Sequence, residues 1–368
     1  MFLAPFCNQI MNNQKCCIIA EAGVNHNGQE GLAFKLIDAA AEAGADIVKF
    51  QTYKTENIIA KGAAKASYQS KTTDSNESQY EMLKQLELPF ELHHKLQAYC
   101  DEKNIQFLST AFDGESLAFL VNDLGLKTLK IPSGEITNSP LLLEHALTGA
   151  NLILSTGMCR LDEIEEALGV IAFGLTKKTT PSVKAFKDAY ASKEGQDALR
   201  NNVTLLHCTT EYPAPLEEVN LRAMETMRQT FHLPVGYSDH TEGITTSIAA
   251  TALGAVIIEK HFTLDKTLPG PDHQASLEPS ELQEMVKAIR SVEKVLGNGK
   301  KTPAPSEIKN ISIARKSLVA KETIKQGDIF SEKNLGIKRP GNGLSPMHYW
   351  DLLGKKVDRD YQTDEVIQ

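Results

Sequence analysis

The sequence has no apolar run near the ~18 residues that a membrane-spanning helix needs, so no membrane partner is expected. Residues 1–14 (MFLAPFCNQIMNNQ) lack both a basic start and a long apolar core, which argues against a secretory signal and leaves Met11 as an alternative start. No CxxC pair occurs. The six cysteines (Cys7, Cys16, Cys17, Cys100, Cys159 and Cys208) stand mostly in apolar runs and read as buried thiols of a reduced, cytoplasmic compartment. No GxGxxG follows the first strand-like run, which disfavours a dinucleotide-binding fold. Positive charge is not in excess: net charge is -8, so the surface as a whole does not attract nucleic acid. An anionic small substrate would need a local cluster of lysine, arginine or backbone N–H groups. What remains is ordinary. The 368 residues are 41% hydrophobic and 23% charged, a folded chain too long for one typical domain.

Short apolar runs alternate with helical stretches. Strands are expected at 17–23, 46–51, 106–112, 128–133, 151–156, 203–209, 235–240 and 256–261. Helices are expected at 29–43, within 79–103, and at 114–122, 139–148, 161–173, 244–253 and from Pro279 onward. Residues 54–78 form a long polar loop, and 175–202 a charged, partly helical insertion with a surface role. Eight strand-then-helix units in about 280 residues predict a closed (β/α)8 barrel rather than an open sheet. After Gly297-Asn298-Gly299 the texture changes. Residues 300–311 read as a Pro-containing linker, and 312–368 as a small β-rich domain. The expected division is therefore an extension (1–15), a barrel (16–299), the linker and the second domain.

Barrels of this kind place their chemistry at the carboxyl ends of the strands. Those ends carry Glu21, Lys49, Gln51, Thr110, Lys130, Ser133, Glu135, Ser155, Thr156, His207, Thr209, Tyr212, Ser238, Asp239, His240, His261 and Thr263. Two lysines with several hydroxyls suit a phosphate and a carboxylate. Two histidines on neighbouring parallel strands suit a divalent metal, or only satisfy hydrogen bonds at strand ends, and spacing leaves both readings open. Taken singly, Lys49 or Lys130 could equally form a structural pair. Asp239 stands between the histidines without an assigned role; a carboxylate that orients an imidazole is one candidate.

Several motifs carry a resemblance: EAGVNHNG at 21–28, KFQT at 49–52, KIPSGE at 130–135, STGM at 155–158, SDHT at 238–241, EKHFT at 259–263 and GPDH at 270–273. Together they resemble the bacterial sialic acid synthase family, and KRPGNG at 338–343 is similar to that family's antifreeze-like (SAF, β-clip) domain. The match runs in order over nearly the whole chain beyond residue 15. It implies condensation of phosphoenolpyruvate with an N-acetylated amino-sugar aldehyde, giving a nine-carbon keto sugar acid and phosphate. N-acetylmannosamine, giving N-acetylneuraminate, is the acceptor expected first. A 2,4-diacetamido-6-deoxyhexose, giving N,N'-diacetyllegionaminate or pseudaminate, is the alternative. The resemblance also implies a divalent metal, Mn2+ ahead of Mg2+ or Co2+, on His240 and His261, with Glu21 and Glu135 as candidate acid/base groups. Lys49, Thr110, Lys130, Ser133, Ser155 and Ser238 would hold phosphate and carboxylate, and Gln51, Tyr212 and Asp272 the sugar. Arg339 would reach the acyl group from the other subunit of a domain-swapped homodimer. Some members carry Asn where Thr210 stands, and the second-loop sugar-binding Asn has no firm counterpart, Asn76 being near. Two other readings compete: a Schiff-base aldolase using Lys130 or Lys49, and a non-catalytic sugar-binding protein.

Overall fold

In the computed structural model the described residues are 15–65, 73, 77–176 and 179–368, so Asn76 and nearly all of the N-terminal extension lie outside them. Residues of like parity along a strand share a face, and this chain uses both faces. β1 (Cys17–Gly23), β2 (Ile47–Thr52), β3 (Gln106–Ala111), β4 (Thr128–Ile131), β5 (Asn151–Ser155), β6 (Val203–His207), β7 (Val235–Asp239) and β8 (Ile257–His261) pair in sequence order, all parallel. β8 returns to β1, with Cys17 opposite Ile257 and Glu21 opposite His261, and the barrel closes. Ile18, Ala20, Val48, Phe50, Leu129, Ile131, Leu205 and Ile258 point outward into the layer under the helices. Ile19, Ile47, Leu108, Ile153, Leu206 and Ile257 point inward and form the apolar floor. Gly236 on β7 has no room for a side chain: a Cβ there would lie 2.5 Å from the Ile257 carbonyl and 2.7 Å from Leu206 Cδ2.

The covering helices are α1 (Glu30–Ala43), α2 (Phe90–Glu102), α3 (Gly114–Asn122), α4 (Ser139–Leu147), α5 (Leu161–Thr176), α6 (Ala223–Phe231), α7 (Thr245–Ala252) and α8 (Pro279–Leu296). Local chemistry sets their ends. Gly44 closes α1 in the left-handed region, at φ +81°. Asp113 caps α3 by accepting from Ser116 N–H. Before Pro279, the Glu281 carboxylate reaches back to the Glu278 N–H at 2.8 Å. The 175–202 insertion contains two helices, Val183–Ala191 and Lys193–Asn202, capped by Ser182 and Ser192. Phe186 of the first packs edge-on against Phe173 of α5.

Two sequence expectations need correcting. Strand β4 stops at Ile131, not Ser133: Pro132 withholds an N–H from the ladder, and Ser133–Glu135 turn as a 3-10 segment. Within the expected linker, Pro305–Ala314 is a helix, because Pro305 suits a first helical turn and the Glu307 carboxylate accepts from the Ala304 N–H at 2.7 Å.

The chain divides into two compact units, residues 1–297 and 298–368. In the second, β9 (Ser317–Ala320) pairs antiparallel with β10 (Leu335–Lys338), and Leu318, Ile324, Phe330, Leu335, Val357, Tyr361 and Ile367 make its own core. The five described cysteines are free. No helix among the described residues is long and apolar enough to cross a membrane.

Candidate active site

The period of two that builds the apolar floor also builds the site above it. Two residues beyond the floor positions, the inward side chains become Glu21, Lys49, Thr110, Ser155, Cys208 and Glu259, and the strand register brings Lys130 and Ser238 to the same level, all buried. One step higher stand Gln51, His240 and His261. Strand register sets the neighbours: Glu21 lies opposite both Lys49 and His261, Thr110 opposite Lys130, and Ser238 opposite Glu259. These residues, with Ser133, Tyr212 and Asp272, line one cavity of about 300 Å³.

Lys49 is the hub of the charged layer. Its Nζ lies 2.8 Å from Glu21 Oε2 and 3.5 Å from Glu259 Oε2, and donates to Thr110 Oγ1 at 3.0 Å. Lys130 donates to Ser155 Oγ at 2.7 Å and to the Ile131 carbonyl at 3.2 Å, and lies 3.8 Å from Glu259 Oε1. Ser238 donates to Glu259 at 2.8 Å. The two carboxylates are driven apart. Burial raises Glu21 to about 7, against the pull of Lys49. Burial also pushes Glu259 up, but Lys130, Lys49 and the Ser238 hydroxyl outweigh it and hold it near 2. One carboxyl is thus poised to exchange a proton near neutrality and the other stays ionised, a division of labour typical of acid/base sites. Burial works against the Lys49 charge, yet Glu21 and Glu259 raise it above its ordinary value. A lysine held protonated in this way is a poor Schiff-base nucleophile.

His240 donates from Nδ1 to the Thr209 carbonyl at 2.7 Å. This fixes its tautomer and turns Nε2 toward the Tyr212 hydroxyl (3.1 Å) and Ser238 Oγ (3.3 Å). The His261 ring centre is 5.7 Å from that of His240. Its Nδ1 is buried without a hydrogen-bond partner, 3.9 Å from Asp272 Oδ2. Burial lowers His240 to about 4 and His261 well below its ordinary value, so both rings are neutral at physiological pH. Neutral imidazoles and an unpartnered buried ring nitrogen fit a divalent cation. Among the described residues no group of three or more His, Cys, Asp or Glu is arranged to hold one. The protein would therefore supply two ligands, with water or substrate as the others.

The remaining expected residues divide. Ser133 lies at the cavity edge, accepting from the Gly157 N–H at 2.9 Å with Cys208 Sγ 3.2 Å away. Gly157 cannot carry a side chain here: its Cβ would land on Thr210 Oγ1, with Ser133 Oγ at 2.9 Å. Gln51 Nε2 approaches Glu21 Oε1 at 3.4 Å. Burial raises Asp272 to about 6. Glu135 does not line the cavity; it lies in the 3-10 turn beyond β4, where its carboxylate accepts from Asn138 at 2.7 Å. Asp239 does not touch an imidazole. It points out of the barrel, accepting from the Thr241 N–H and hydroxyl and the Ser247 hydroxyl, 3.2 Å from Lys260 Nζ. Arg339 is exposed in the second unit, where its Nε donates to the Ala314 carbonyl at 3.1 Å. Glu259 is the inward carboxylate of the charged layer that the list of strand ends missed. Its signal was parity, two residues before His261 on the same strand.

Fold and site together define a (β/α)8-barrel enzyme with a charged, hydroxyl-rich mouth beside two neutral imidazoles. The chain belongs to the NeuB family, whose model matches residues 36–301, and a SAF domain follows at 315–368. This is the family of the sialic acid and legionaminic acid synthases. Over 355 residues the chain is 54% identical to N,N'-diacetyllegionaminic acid synthase of Campylobacter jejuni, covering 96% of this chain and 99% of that protein. It is 44% identical to the enzyme of the same name from Legionella pneumophila, covering 97% and 94%. Among solved structures, N-acetylneuraminic acid (sialic acid) synthetase of Leptospira borgpetersenii superposes with a TM-score of 0.64 at 35% identity, covering 81% of this chain and 90% of that one.

Proposed function

We propose that the protein condenses phosphoenolpyruvate with a 2,4-diacetamido-6-deoxyhexose to form N,N'-diacetyllegionaminic acid and inorganic phosphate. Higher identity to two legionaminic acid synthases than to the sialic acid synthetase weighs the acceptor toward this sugar and away from N-acetylmannosamine, the acceptor expected first. The observation that carries the reaction class is the inward ring of Lys49, Lys130 and hydroxyls around the buried Glu21 carboxyl, directly below His240 and His261.

In this reading Lys49, Lys130, Thr110, Ser133, Ser155 and Ser238 bind the phosphate and carboxylate of phosphoenolpyruvate. Ser238, between Glu259 and His240, joins the anion end to the aldehyde end. A divalent metal, Mn2+ first, on His240 and His261 would supply Lewis-acid polarisation of the aldehyde oxygen. The vinyl carbon of phosphoenolpyruvate forms the new bond to the aldehyde carbon, and positive charge develops on the carbon bearing phosphate. Glu21 stands beside that centre, stabilises the charge and takes a proton from the attacking water. The added hydroxyl gives up its proton as the C–O bond to phosphate breaks, leaving the ketone, and the two protons of the water end on the former aldehyde oxygen and on the released phosphate. Gln51, Tyr212 and Asp272 orient the sugar. Arg339 of a second copy reads the acyl group, which makes the working unit a domain-swapped homodimer.

The test is phosphate release and product mass with phosphoenolpyruvate and each candidate sugar, before and after chelation. Expected are the highest kcat/KM with the diacetamido-deoxy sugar, loss of turnover with chelator, and recovery with Mn2+. A higher kcat/KM for N-acetylmannosamine overturns the acceptor. Full activity of His240→Ala in metal-depleted buffer overturns the metal assignment.

A further inference from the structure

The cavity changes character away from its charged floor. Beyond Glu21 and Gln51 it opens onto an aliphatic face. Val24, Tyr53, Met82 and Leu86 form one buried apolar cluster, joined by Leu83 and Phe112. The face is fixed in place. The helix Gln79–Leu86 begins with a reciprocal Ser78–Glu81 capping box. The Tyr53 hydroxyl donates to the Leu83 carbonyl at 3.0 Å, which ties the helix to the end of β2. Lys84 reaches both Glu56 and Glu87 on the outer side. Tyr53 thus directs its one polar group at the helix backbone; Gln79 in the first turn of the helix also lines the cavity, but the side chains presented beyond it by Met82, Leu83 and Leu86 have no strong hydrogen-bonding group.

A sugar hydroxyl set against such a face loses water and gains no partner, whereas a methyl group is buried favourably. We infer that the helix Gln79–Leu86 is the wall that reads the acceptor. Met82, Leu83 and Leu86 receive methyl groups of the sugar, those of an acetamido substituent and of the deoxy carbon, and so select a diacetamido-deoxy acceptor over a more hydroxylated one. This rests on the proposed function in one respect, that the acceptor enters this cavity. The physics sets the size: one methyl exchanged for hydroxyl in an apolar pocket discriminates by about tenfold to a few hundredfold.

The test compares acceptors on the native enzyme and on Met82→Gln and Leu83→Gln, which keep the bulk of the wall and give it hydrogen-bonding groups. On the native enzyme, kcat/KM for the 6-hydroxy counterpart of the diacetamido sugar should be lower by about tenfold or more; equal use overturns the inference without any variant. In either folded variant the preference for diacetamido-deoxy sugar over N-acetylmannosamine should fall by about tenfold, while KM for phosphoenolpyruvate stays as in the native enzyme. A native enzyme that prefers N-acetylmannosamine overturns the proposed function and the wall's selectivity together. One that prefers the diacetamido-deoxy sugar, with folded variants whose preference is unchanged, overturns the wall alone.

Discussion

Glu259 is the residue on which the charged layer depends. It is the shared counter-ion of Lys49 and Lys130, and Ser238 donates to it. Removing one member of a buried charged group leaves its partners uncompensated, at a cost of about 3–5 kcal/mol. Glu259→Gln keeps the shape and deletes the charge. We expect a lower melting temperature for the variant, and a larger stabilisation by phosphoenolpyruvate than the native protein shows, because the ligand's anion would then face Lys130 without its carboxylate and Lys49 paired with Glu21 alone. Thermal unfolding with and without phosphoenolpyruvate measures both. An unchanged melting temperature would show that Glu21 alone holds the lysines. Glu21 is the counterpart: burial keeps it near 7, so the two carboxyls differ in role through environment rather than residue type.

At the scale of elements, α4 carries a cost the barrel tolerates. His145 donates from Nδ1 to the Leu141 carbonyl at 2.8 Å, and its Nε2 is buried with no partner. Burial lowers its pKa from 6.5 to about 4. Between those values the unfolded chain binds a proton that the folded chain does not, so stability falls as pH drops through this window. His145→Leu removes both the orphan nitrogen and the linkage. The variant should gain on the native protein as pH falls from 7 to 5, by roughly 2 kcal/mol at pH 5, read from urea unfolding at each pH. A stability difference independent of pH would refute the linkage. The elements themselves were legible where apolar runs were dense. All eight barrel strands were visible, and β1 and α3 coincide with their expected bounds. The helix α6 was not, because its stripe of Met224, Met227 and Phe231 is diluted by Glu225, Arg228 and Gln229. The helix Pro305–Ala314 was hidden by its prolines, which mark a helix start as readily as a linker. Strand ends named most of the cavity's polar lining. They failed at Glu259, which points in, at Asp239, which points out, and at Glu135, which lies in the turn beyond the end of β4.

At the scale of the whole molecule, the question is what the second unit adds to a barrel whose proposed catalytic groups all lie in the first. The second unit has a core of its own, and its β10 strand leads directly to an exposed arginine, Arg339. Under the proposed domain-swapped dimer, each active site needs the histidines of one copy and the arginine of the other, and this requirement can be separated genetically. Arg339→Ala and His240→Ala should each be severely impaired with the diacetamido-deoxy sugar. Mixed in equal amounts and allowed to exchange subunits, half of the dimers would be heterodimers. In these, one barrel with intact histidines meets an intact arginine, and the other site is doubly defective. Activity should recover to about a quarter of native, with the kcat and KM of the native enzyme at each restored site. If Arg339 serves the barrel of its own chain, no heterodimer contains an intact site and mixing restores nothing. Native mass spectrometry of the same samples, with one variant isotope-labelled, distinguishes that outcome from a failure to exchange, since it counts the heterodimers directly, and a chain that remains monomeric excludes sharing of sites between copies.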